Sequence, residues 1–254
     1  MSLSGFLNTG VLDVCFDPNS TVYAVLLSVF LLVSIVGGYL LGSINTAIIV
    51  SRVFYHDDIR RHGSGNAGLT NTLRTYGGKA ALLTLFGDML KTALAIAIAG
   101  VLLGFQYVTP GAVSISPACY LAGLFAVLGH VFPIYYRMKG GKGVLATATM
   151  ALILSPAVFG VLFLLFVGVV AISKFVSLGS VTVAMLYPVT LNAYVQILYG
   201  GARINLYMAL SSIVLAILLV WCHRENLKRI SDRTERKLSF RKKKPEDEAD
   251  GKDA

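Results

Sequence analysis

Long stretches without charge constrain this sequence more than any other feature. Residues 18–51, 92–136, 143–173 and 175–202 contain no Asp, Glu, Lys or Arg. Each is longer than the roughly 20 residues that cross a bilayer, and a backbone in lipid must satisfy its own hydrogen bonds. Because 56% of the 254 residues are hydrophobic and only 14% are charged, the chain is predicted to be an all-α polytopic membrane bundle.

Breaker residues divide these stretches into predicted spans. Pro110 and Gly111 mark an uncharged loop over residues 105–117. Residues 144–173 allow either one tilted helix or two helices broken before Pro156, because a residue that precedes proline is disfavoured in a helix. The predicted spans are about Val22–Val50, Ala80–Gly104, Ala118–Met138, 144–154, 156–173, Leu178–Tyr199 and Leu206–Cys222.

The distribution of basic residues chooses between these alternatives, since cytoplasmic loops collect Lys and Arg. Residues 51–79 hold five basic residues and residues 137–143 hold three, whereas the two outer loops hold one between them. Only two separate segments within 144–173 place all the basic regions on one side. The sequence therefore predicts about seven transmembrane helices, with the N-terminus outside, the C-terminus cytoplasmic, and residues 144–154 too short for a full crossing.

The net charge of +9 does not indicate a nucleic-acid partner. Residues 223–254 hold 11 Lys or Arg and 8 Asp or Glu, which is typical of a solvated tail, and anionic lipid headgroups suit the other basic residues. We expect a membrane domain over residues 1–240, a disordered cytoplasmic tail over residues 241–254, and no obligate protein partner. Three cysteines without ligand spacing indicate neither a metal nor another cofactor.

Polar, glycine-rich segments all fall on the predicted cytoplasmic side. Between residues 63 and 74, three glycines let backbone amides approach a ligand, and Arg74 offers a guanidinium fork for phosphate. A helix that begins near Ala67 would add a favourable dipole for an anion. The alternative is an ordinary polar loop. The candidate ligands of phosphate or glycerol in this segment are Gly63, Ser64, Asn66, Thr70, Asn71 and Arg74.

A second glycine-rich segment resembles a phosphate cradle. It contains Gly140, Gly141, Lys142 and Gly143, which offer free backbone amides around one ammonium. No Ser or Thr follows the lysine and no strand precedes it, so we predict no nucleotide hydrolysis. The alternative is a flexible turn at the membrane edge.

Two residue pairs at helix ends have equally open interpretations. Ser43 and Arg52 either hold an anion or form a small-residue packing site with a topology-setting arginine. His223 and Asn226 are three residues apart on one helical face, where they either hold a polar ligand or end an interfacial helix.

Further polar residues lie within or beside the predicted spans. Asp88 and Lys91 are three residues apart, so they either neutralise each other in the membrane or contact substrate. His130 is either structural or directly functional. Ser177 and Ser180 add hydroxyl groups at the start of the sixth span.

Five blocks of sequence together indicate a family. The blocks GSINTAIIVSR, GSGNAGLTNTLRTYGGKAALLTLFGDMLK, LGHVFPIYYRMKGGKGV, VSLGS and HRENLKR occur in this order. From about Leu41 to Lys237 the chain resembles the bacterial acyl-phosphate:glycerol-3-phosphate acyltransferases, the PlsY family. The resemblance implies an enzyme of the bacterial inner membrane whose active site faces the cytoplasm. It would move a fatty acyl group from acyl phosphate to the 1-hydroxyl of sn-glycerol-3-phosphate, giving lysophosphatidic acid in the first acylation of phospholipid synthesis.

The resemblance also implies site residues. Its motifs carry over to Ser43 and Arg52, to Gly140, Gly141, Lys142 and Gly143, and to His223, Asn226 and Glu235. Of these, the expected catalytic residues are Ser43, Arg52, Lys142, His223 and Asn226, and the expected phosphate or glycerol ligands are Gly140, Gly141 and Gly143. Asn66, Arg74, Ser177 and Ser180 fall in segments that line the family's polar site, and Lys91 is a further candidate ligand from its spacing with Asp88. The family usually has Gly-x-Glu near its end. Here Arg233 replaces that glycine before Glu235, so the turn and the role of Glu235 are left open.

The implied donor sets the chemistry. Acyl phosphate is already activated, so the protein must place the hydroxyl and stabilise the leaving phosphate rather than supply a nucleophile. The proton passes either to His223 or to the phosphate of the donor. None of the four histidines has Asp five residues later, which argues against the His-x4-Asp class of acyltransferases. A transporter of a phosphorylated solute is the alternative, but it usually shows paired repeats, and none is found.

Overall fold

The computed structural model describes residues 3–109, 112–198 and 204–238. The predicted tail 241–254, the breakers Pro110 and Gly111, and residues 199–203 of a predicted outer loop lie outside the described residues. The described helices are α1 (Leu3–Cys15), α2 (Thr21–Ser43), α3 (Thr46–Tyr55), α4 (Leu69–Tyr76), α5 (Gly78–Leu103), α6 (Pro117–Val131), α7 (Val144–Leu154), α8 (Pro156–Ser173), α9 (Val176–Leu198), α10 (Leu206–Cys222) and α11 (Arg224–Ser231), with 3-10 turns at Ile59–Arg61 and Ile134–Tyr136.

The chain is a helical membrane protein, as predicted. Five helical segments are long and apolar enough to cross a bilayer, and α10 with α11, bent by 50°, makes a sixth. The apolar helix α7 is shorter, with 11 residues. The predicted break is confirmed, since α7 ends at Leu154 and α8 begins at Pro156. The number of crossings and their orientation stay predictions.

Two of the predicted spans correspond to apolar segments that contain a break in the helix. The first corresponds to Thr21–Tyr55, in which α2 ends at Ser43 and the side chain of Asn45 caps α3 by accepting from the Ile48 amide at 3.1 Å. The third corresponds to Pro117–Tyr136, in which α6 ends at Val131, since the residue before a proline is disfavoured in a helix.

One helix and two strands were absent from the prediction. Helix α1 precedes the first predicted span. The predicted loop 105–117 contains two strands, β1 (Gln106–Thr109) and β2 (Ala112–Ile115), which pair antiparallel. Both strands contain β-branched residues, which favour extended structure over an open loop.

Helix α6 lies at the centre of the bundle and packs against α2, α5, α7 and α10. Its contact with α2 depends on small residues. A Cβ added at Gly38 would lie 2.6 Å from the carbonyl oxygen of Ala122, and one at Gly42 would clash with Ala126. Close approach of small residues is how helices pack in a bilayer. Helix α6 thereby brings its C-terminal end, with His130, to the middle of the bundle.

Candidate functional site

A cavity of about 670 Å³ opens among helices α4, α5 and α7 to α11. Part of its wall is apolar and contains the α8 side chains Phe159, Leu162, Phe163 and Phe166. The rest collects polar residues that are far apart in sequence. These are Ser64, Asn66, Thr70, Asn71, Arg74, Asp88, His130, Lys142, Thr147, Thr149, Ser177, Ser180, Tyr187, His223, Asn226, Arg229, Thr234, Glu235 and Arg236, with the glycines Gly63, Gly68 and Gly143 between them. The cavity therefore suits a ligand whose charged end contacts the polar part of the wall and whose other end contacts the apolar part.

The polar wall is organised by a group that we call the Glu235 cluster: Lys142, Ser177, Asn226, Arg229 and Glu235. The Lys142 ammonium contacts Oδ1 of Asn226, and Nδ2 of Asn226 donates to Oε1 of Glu235 at 2.7 Å. Oε1 of Glu235 also accepts from the Ser177 hydroxyl at 2.9 Å. Nε of Arg229 donates to Oε2 at 2.8 Å. Since lysine only donates and carboxylate only accepts, the orientation of the Asn226 amide is fixed.

The turn before Glu235 forms although arginine stands where the family usually has glycine. Arg233 adopts the left-handed conformation, with φ of 59°. The amides of Thr234 and Glu235 then donate to the carbonyl of Arg229, at 2.8 and 3.0 Å. The turn closes under the end of α11 and aims the Glu235 carboxylate at Asn226. The turn that the sequence left open is therefore present, and Glu235 lies in the cavity wall.

The Glu235 cluster carries an excess of positive charge. Burial, followed by the neighbouring charge of Arg229, lowers the pKa of Lys142 to about 8. Burial acts to raise the pKa of Glu235, but hydrogen bonds from Asn226, Arg229 and Ser177 outweigh it and lower that pKa. At neutral pH the cluster therefore holds two cations and one carboxylate, which favours an anionic ligand.

Only part of the predicted glycine cradle is free. The amides of Gly140 and Gly141 donate to the carbonyls of Val131 and His130, at 3.2 and 3.1 Å. They satisfy the open end of α6, so the prediction that they offer free amides to phosphate is wrong. Gly143, with φ of 80°, begins α7 without a side-chain cap. The first-turn amides of α7 lie at the cavity wall beside Lys142, where a helix dipole favours an anion.

The 63–74 segment reaches the cavity, and one of its residues holds the segment itself in place. Oδ1 of Asn71 accepts from the Ser64 amide at 3.0 Å, and its Nδ2 donates to the carbonyl of His62 at 2.9 Å. Helix α4 begins after Gly68 without a side-chain cap. Arg74 lines the cavity, and its Nη2 lies 3.5 Å from the carbonyl of Arg236. Asn66 and Thr70 also line the cavity, and their roles as ligands stay predictions.

Ser43 and Arg52 do not line the cavity. The buried Ser43 hydroxyl donates to the carbonyl of Tyr39 at 2.8 Å. Arg52 is about half exposed and pairs with Asp58 at 3.2 Å. The structure brings neither residue to the Glu235 cluster, and their catalytic roles stay predictions.

Lys91 belongs to a buried group beneath the cavity. Its ammonium lies 2.9 Å from Oδ1 of Asp88, 2.6 Å from the carbonyl oxygen of Ile44 and 2.9 Å from Nδ1 of His130. The predicted pair with Asp88 is therefore present. Asp88 and His130 line the cavity, whereas Lys91 does not.

Two kinds of cavity residue lie beyond the sequence predictions. Arg229 is three residues after Asn226 on α11, and that spacing could have revealed it. Thr147 and Tyr187 come from apolar helices and gave no sequence signal. Their hydroxyls are buried without a hydrogen-bond partner among the described residues. Among all the residues that the structure describes, no group of three or more His, Cys, Asp or Glu side chains could hold a metal ion.

The chain is similar to known proteins over most of its length. The family model described as glycerol-3-phosphate acyltransferase matches residues 32–233. A glycerol-3-phosphate acyltransferase of Mycoplasmopsis agalactiae is 40% identical over 240 residues, covering 87% of this chain and 98% of the relative. Glycerol-3-phosphate acyltransferase 2 of Bacillus cereus is 38% identical over 205 residues, covering 81% and 93%.

Two solved structures share the fold. Both are of PlsY (YgiH), an integral membrane glycerol 3-phosphate acyltransferase. Its glycerol 3-phosphate form gives a TM-score of 0.69 at 30% identity, covering 82% of this chain and 96% of that chain. Its lysophosphatidic acid form gives 0.67 at 29% identity, covering 82% and 95%. The chain therefore belongs to the glycerol-3-phosphate acyltransferase family.

Proposed function

We propose that this protein transfers a fatty acyl group from acyl phosphate to the 1-hydroxyl of sn-glycerol-3-phosphate, releasing lysophosphatidic acid and phosphate. The observation that carries the proposal is the Glu235 cluster, whose surplus cation Lys142 lies on the wall of a cavity that also has an apolar face. Both substrates carry phosphate, and one also carries an acyl chain. Known structures of PlsY in glycerol 3-phosphate and lysophosphatidic acid forms support the same acceptor and product here.

The reaction needs positioning and charge stabilisation. The hydroxyl oxygen bonds to the acyl carbon, and the bond from that carbon to the phosphate oxygen breaks. Lys142 and the first-turn amides of α7 stabilise the negative charge on a phosphate. The apolar wall holds the acyl chain, which orients the carbonyl carbon toward the hydroxyl.

In this proposal the hydroxyl proton passes to the departing phosphate. Nδ1 of His223 lies 2.7 Å from the carbonyl oxygen of Leu219, which holds the imidazole in a fixed orientation. An oxygen of the leaving phosphate gains basicity as the bond to the acyl carbon breaks. We therefore assign His223 to hydrogen bonding with the acceptor.

Product formation by purified protein tests the proposal. Palmitoyl phosphate and radiolabelled sn-glycerol-3-phosphate should yield labelled lysophosphatidic acid, and palmitoyl coenzyme A in place of palmitoyl phosphate should yield none. Equal use of the thioester, or no labelled lipid with either donor, would contradict the assignment of acyl phosphate as the donor.

We propose that the protein lies in the bacterial inner membrane with the cavity open to the cytoplasm. The concentration of basic residues in the 51–79 and 137–143 segments supports this orientation. The test uses a protein without its native cysteines. A single cysteine at Ser114 should react with an impermeant thiol reagent in intact cells, and one at Lys139 only after lysis. The reversed labelling pattern would contradict the orientation.

A further inference from the structure

Two buried histidines line the cavity, and each is held through Nδ1 by a different kind of partner. Nδ1 of His223 lies 2.7 Å from the carbonyl oxygen of Leu219. A carbonyl only accepts hydrogen bonds, so this nitrogen carries a proton. Neutral His223 therefore has an unprotonated Nε2, which accepts hydrogen bonds.

His130 faces the opposite partner. Its Nδ1 lies 2.9 Å from the Lys91 ammonium. The three protons of that ammonium match three acceptors: the Asp88 carboxylate, the Ile44 carbonyl and Nδ1 of His130. If Nδ1 carried a proton, its N–H would point at the Lys91 ammonium, which is also a donor. Oδ1 of Asp88 could not accept that proton instead, because it lies 3.8 Å from Nδ1, which is too long for a hydrogen bond. Nδ1 of His130 is therefore unprotonated, and Nε2 carries the hydrogen.

Both Nε2 atoms are available to a ligand. Within residues 3–109, 112–198 and 204–238, neither nitrogen has a hydrogen-bond partner. Nε2 of His130 faces Gly141, where even a methyl group would clash with the ring. Both histidines are only 3% exposed, and both line the same cavity as Lys142. A buried polar atom on a cavity wall is expected to find its partner in what the cavity binds.

We propose that His130 and His223 are fixed as opposite tautomers and bind the acceptor substrate from two sides. His130 donates from Nε2–H to a phosphate oxygen, and His223 accepts at Nε2 from the glycerol hydroxyl that is not acylated. His130 is then a further substrate-binding residue, and Lys91 and Asp88 are positioning residues that act through it. The tautomers follow from the geometry alone, whereas the identity of the ligand rests on the proposed function.

Nuclear magnetic resonance of the full-length protein, labelled with 15N-histidine in detergent micelles, tests the tautomers. Couplings between the ring nitrogens and carbon-bound protons show which nitrogen is protonated. The four histidines are assigned with His130→Gln and His223→Gln. His223 should show a protonated Nδ1 and His130 a protonated Nε2. A protonated Nδ1 in His130 would overturn the proposal. If a variant fails to fold, a wild-type spectrum without any Nδ1-protonated neutral histidine would do so.

Two probes test the ligand. Inorganic phosphate should shift the Nε2 signal of His130 alone, and sn-glycerol-3-phosphate should shift the Nε2 signals of both histidines. The absence of any shift at His130 would overturn its role as a phosphate ligand. If the two histidines show the expected tautomers but the protein has no acyltransferase activity, the proposed function is overturned and the tautomer assignment stands. If the protein is active but the histidines show other tautomers, only the present inference is overturned.

Two variants of His130 separate binding from structure. His130→Gln places an amide donor near the position of Nε2, whereas His130→Asn places its amide near Nδ1 and leaves the cavity without a donor. The loss of one hydrogen bond to the charged phosphate should raise KM for sn-glycerol-3-phosphate roughly 10- to 100-fold in the Asn variant relative to the Gln variant. Equal KM values for two folded variants would contradict a contact with substrate.

Discussion

Two clusters in this protein each join one carboxylate to two basic side chains, and only one of them faces the cavity. In the cluster around Asp58, Arg60 lies 2.6 Å and Arg52 3.2 Å from the carboxylate. Arg60 also donates to the carbonyl of Tyr136 at 3.2 Å, and Arg52 lies 5.6 Å over the Tyr136 ring. Both cations are therefore engaged in holding the 56–62 loop against the 3-10 turn Ile134–Tyr136.

The Glu235 cluster uses its groups differently. The Glu235 carboxylate accepts hydrogen bonds from Arg229, Ser177 and Nδ2 of Asn226. It does not pair with Lys142, whose ammonium remains at the cavity wall. The difference shows that a polar cluster binds ligand only where one of its charges remains next to a volume that the ligand can enter.

Removal of the Lys142 charge should have the largest effect on catalysis. A charge-assisted hydrogen bond is worth about 1.5–3 kcal/mol, so Lys142→Ala should lower kcat/KM roughly 10- to 100-fold in protein that still folds. Lys139 lies in the same loop with its side chain exposed. Lys139→Ala should retain nearly full activity in the same assay. Equal losses in both variants would show that the loop, rather than the ammonium, matters.

The pH dependence of activity should report the same ammonium. The lowered pKa of Lys142 means that its charge is present below pH of about 8 and is lost as pH rises through that value. We expect kcat/KM to fall above that pH, at the limit by roughly tenfold per pH unit. Lys142→Arg stays charged throughout, so its profile should be flat there. An unchanged descending limb in that variant would assign the limb to another group.

The cluster around Asp58 should matter for stability instead. Asp58→Asn weakens the pairs with Arg52 and Arg60 and should lower the free energy of unfolding by roughly 1–2 kcal/mol, while kcat per folded molecule stays unchanged. Thermal unfolding in detergent and an assay on the folded fraction measure the two quantities. A loss of kcat as large as that of Lys142→Ala would break the distinction and support the predicted catalytic role of Arg52.

The smallest effect is expected at the turn that carries Glu235. Left-handed backbone is unfavourable for arginine and free for glycine, so Arg233→Gly should raise stability by at most about 1 kcal/mol without changing activity. Asp232, the preceding residue, has φ of −79°. Asp232→Gly should therefore lower stability. A loss of stability in Arg233→Gly would indicate that the arginine side chain contributes more than its backbone costs.

Local signals in the sequence predicted local features. Pro156 marked the break between α7 and α8, and the spacing of His223 and Asn226 placed both on the cavity wall. Features that depend on distant partners could not be predicted. The amides of Gly140 and Gly141 appeared free because the end of α6, which they satisfy, is set by packing and by Pro133.

The contrast between the two clusters was equally invisible in the sequence. Arg52 and Lys142 are both basic residues next to glycine-rich or hydroxyl-bearing segments. Only the fold decides that Asp58 pairs with Arg52 while Glu235 leaves Lys142 to the cavity. The same holds for Thr147 and Tyr187, which line the cavity from otherwise apolar helices.

We propose that Lys142, rather than the group around Arg52, binds the phosphate of the acceptor. A crystal structure of the protein with sn-glycerol-3-phosphate would show which of the two binds it. We expect the phosphate in the cavity, within hydrogen-bonding distance of the Lys142 ammonium and the first-turn amides of α7. A phosphate bound by Ser43 and Arg52, with the Glu235 cluster unchanged, would contradict it.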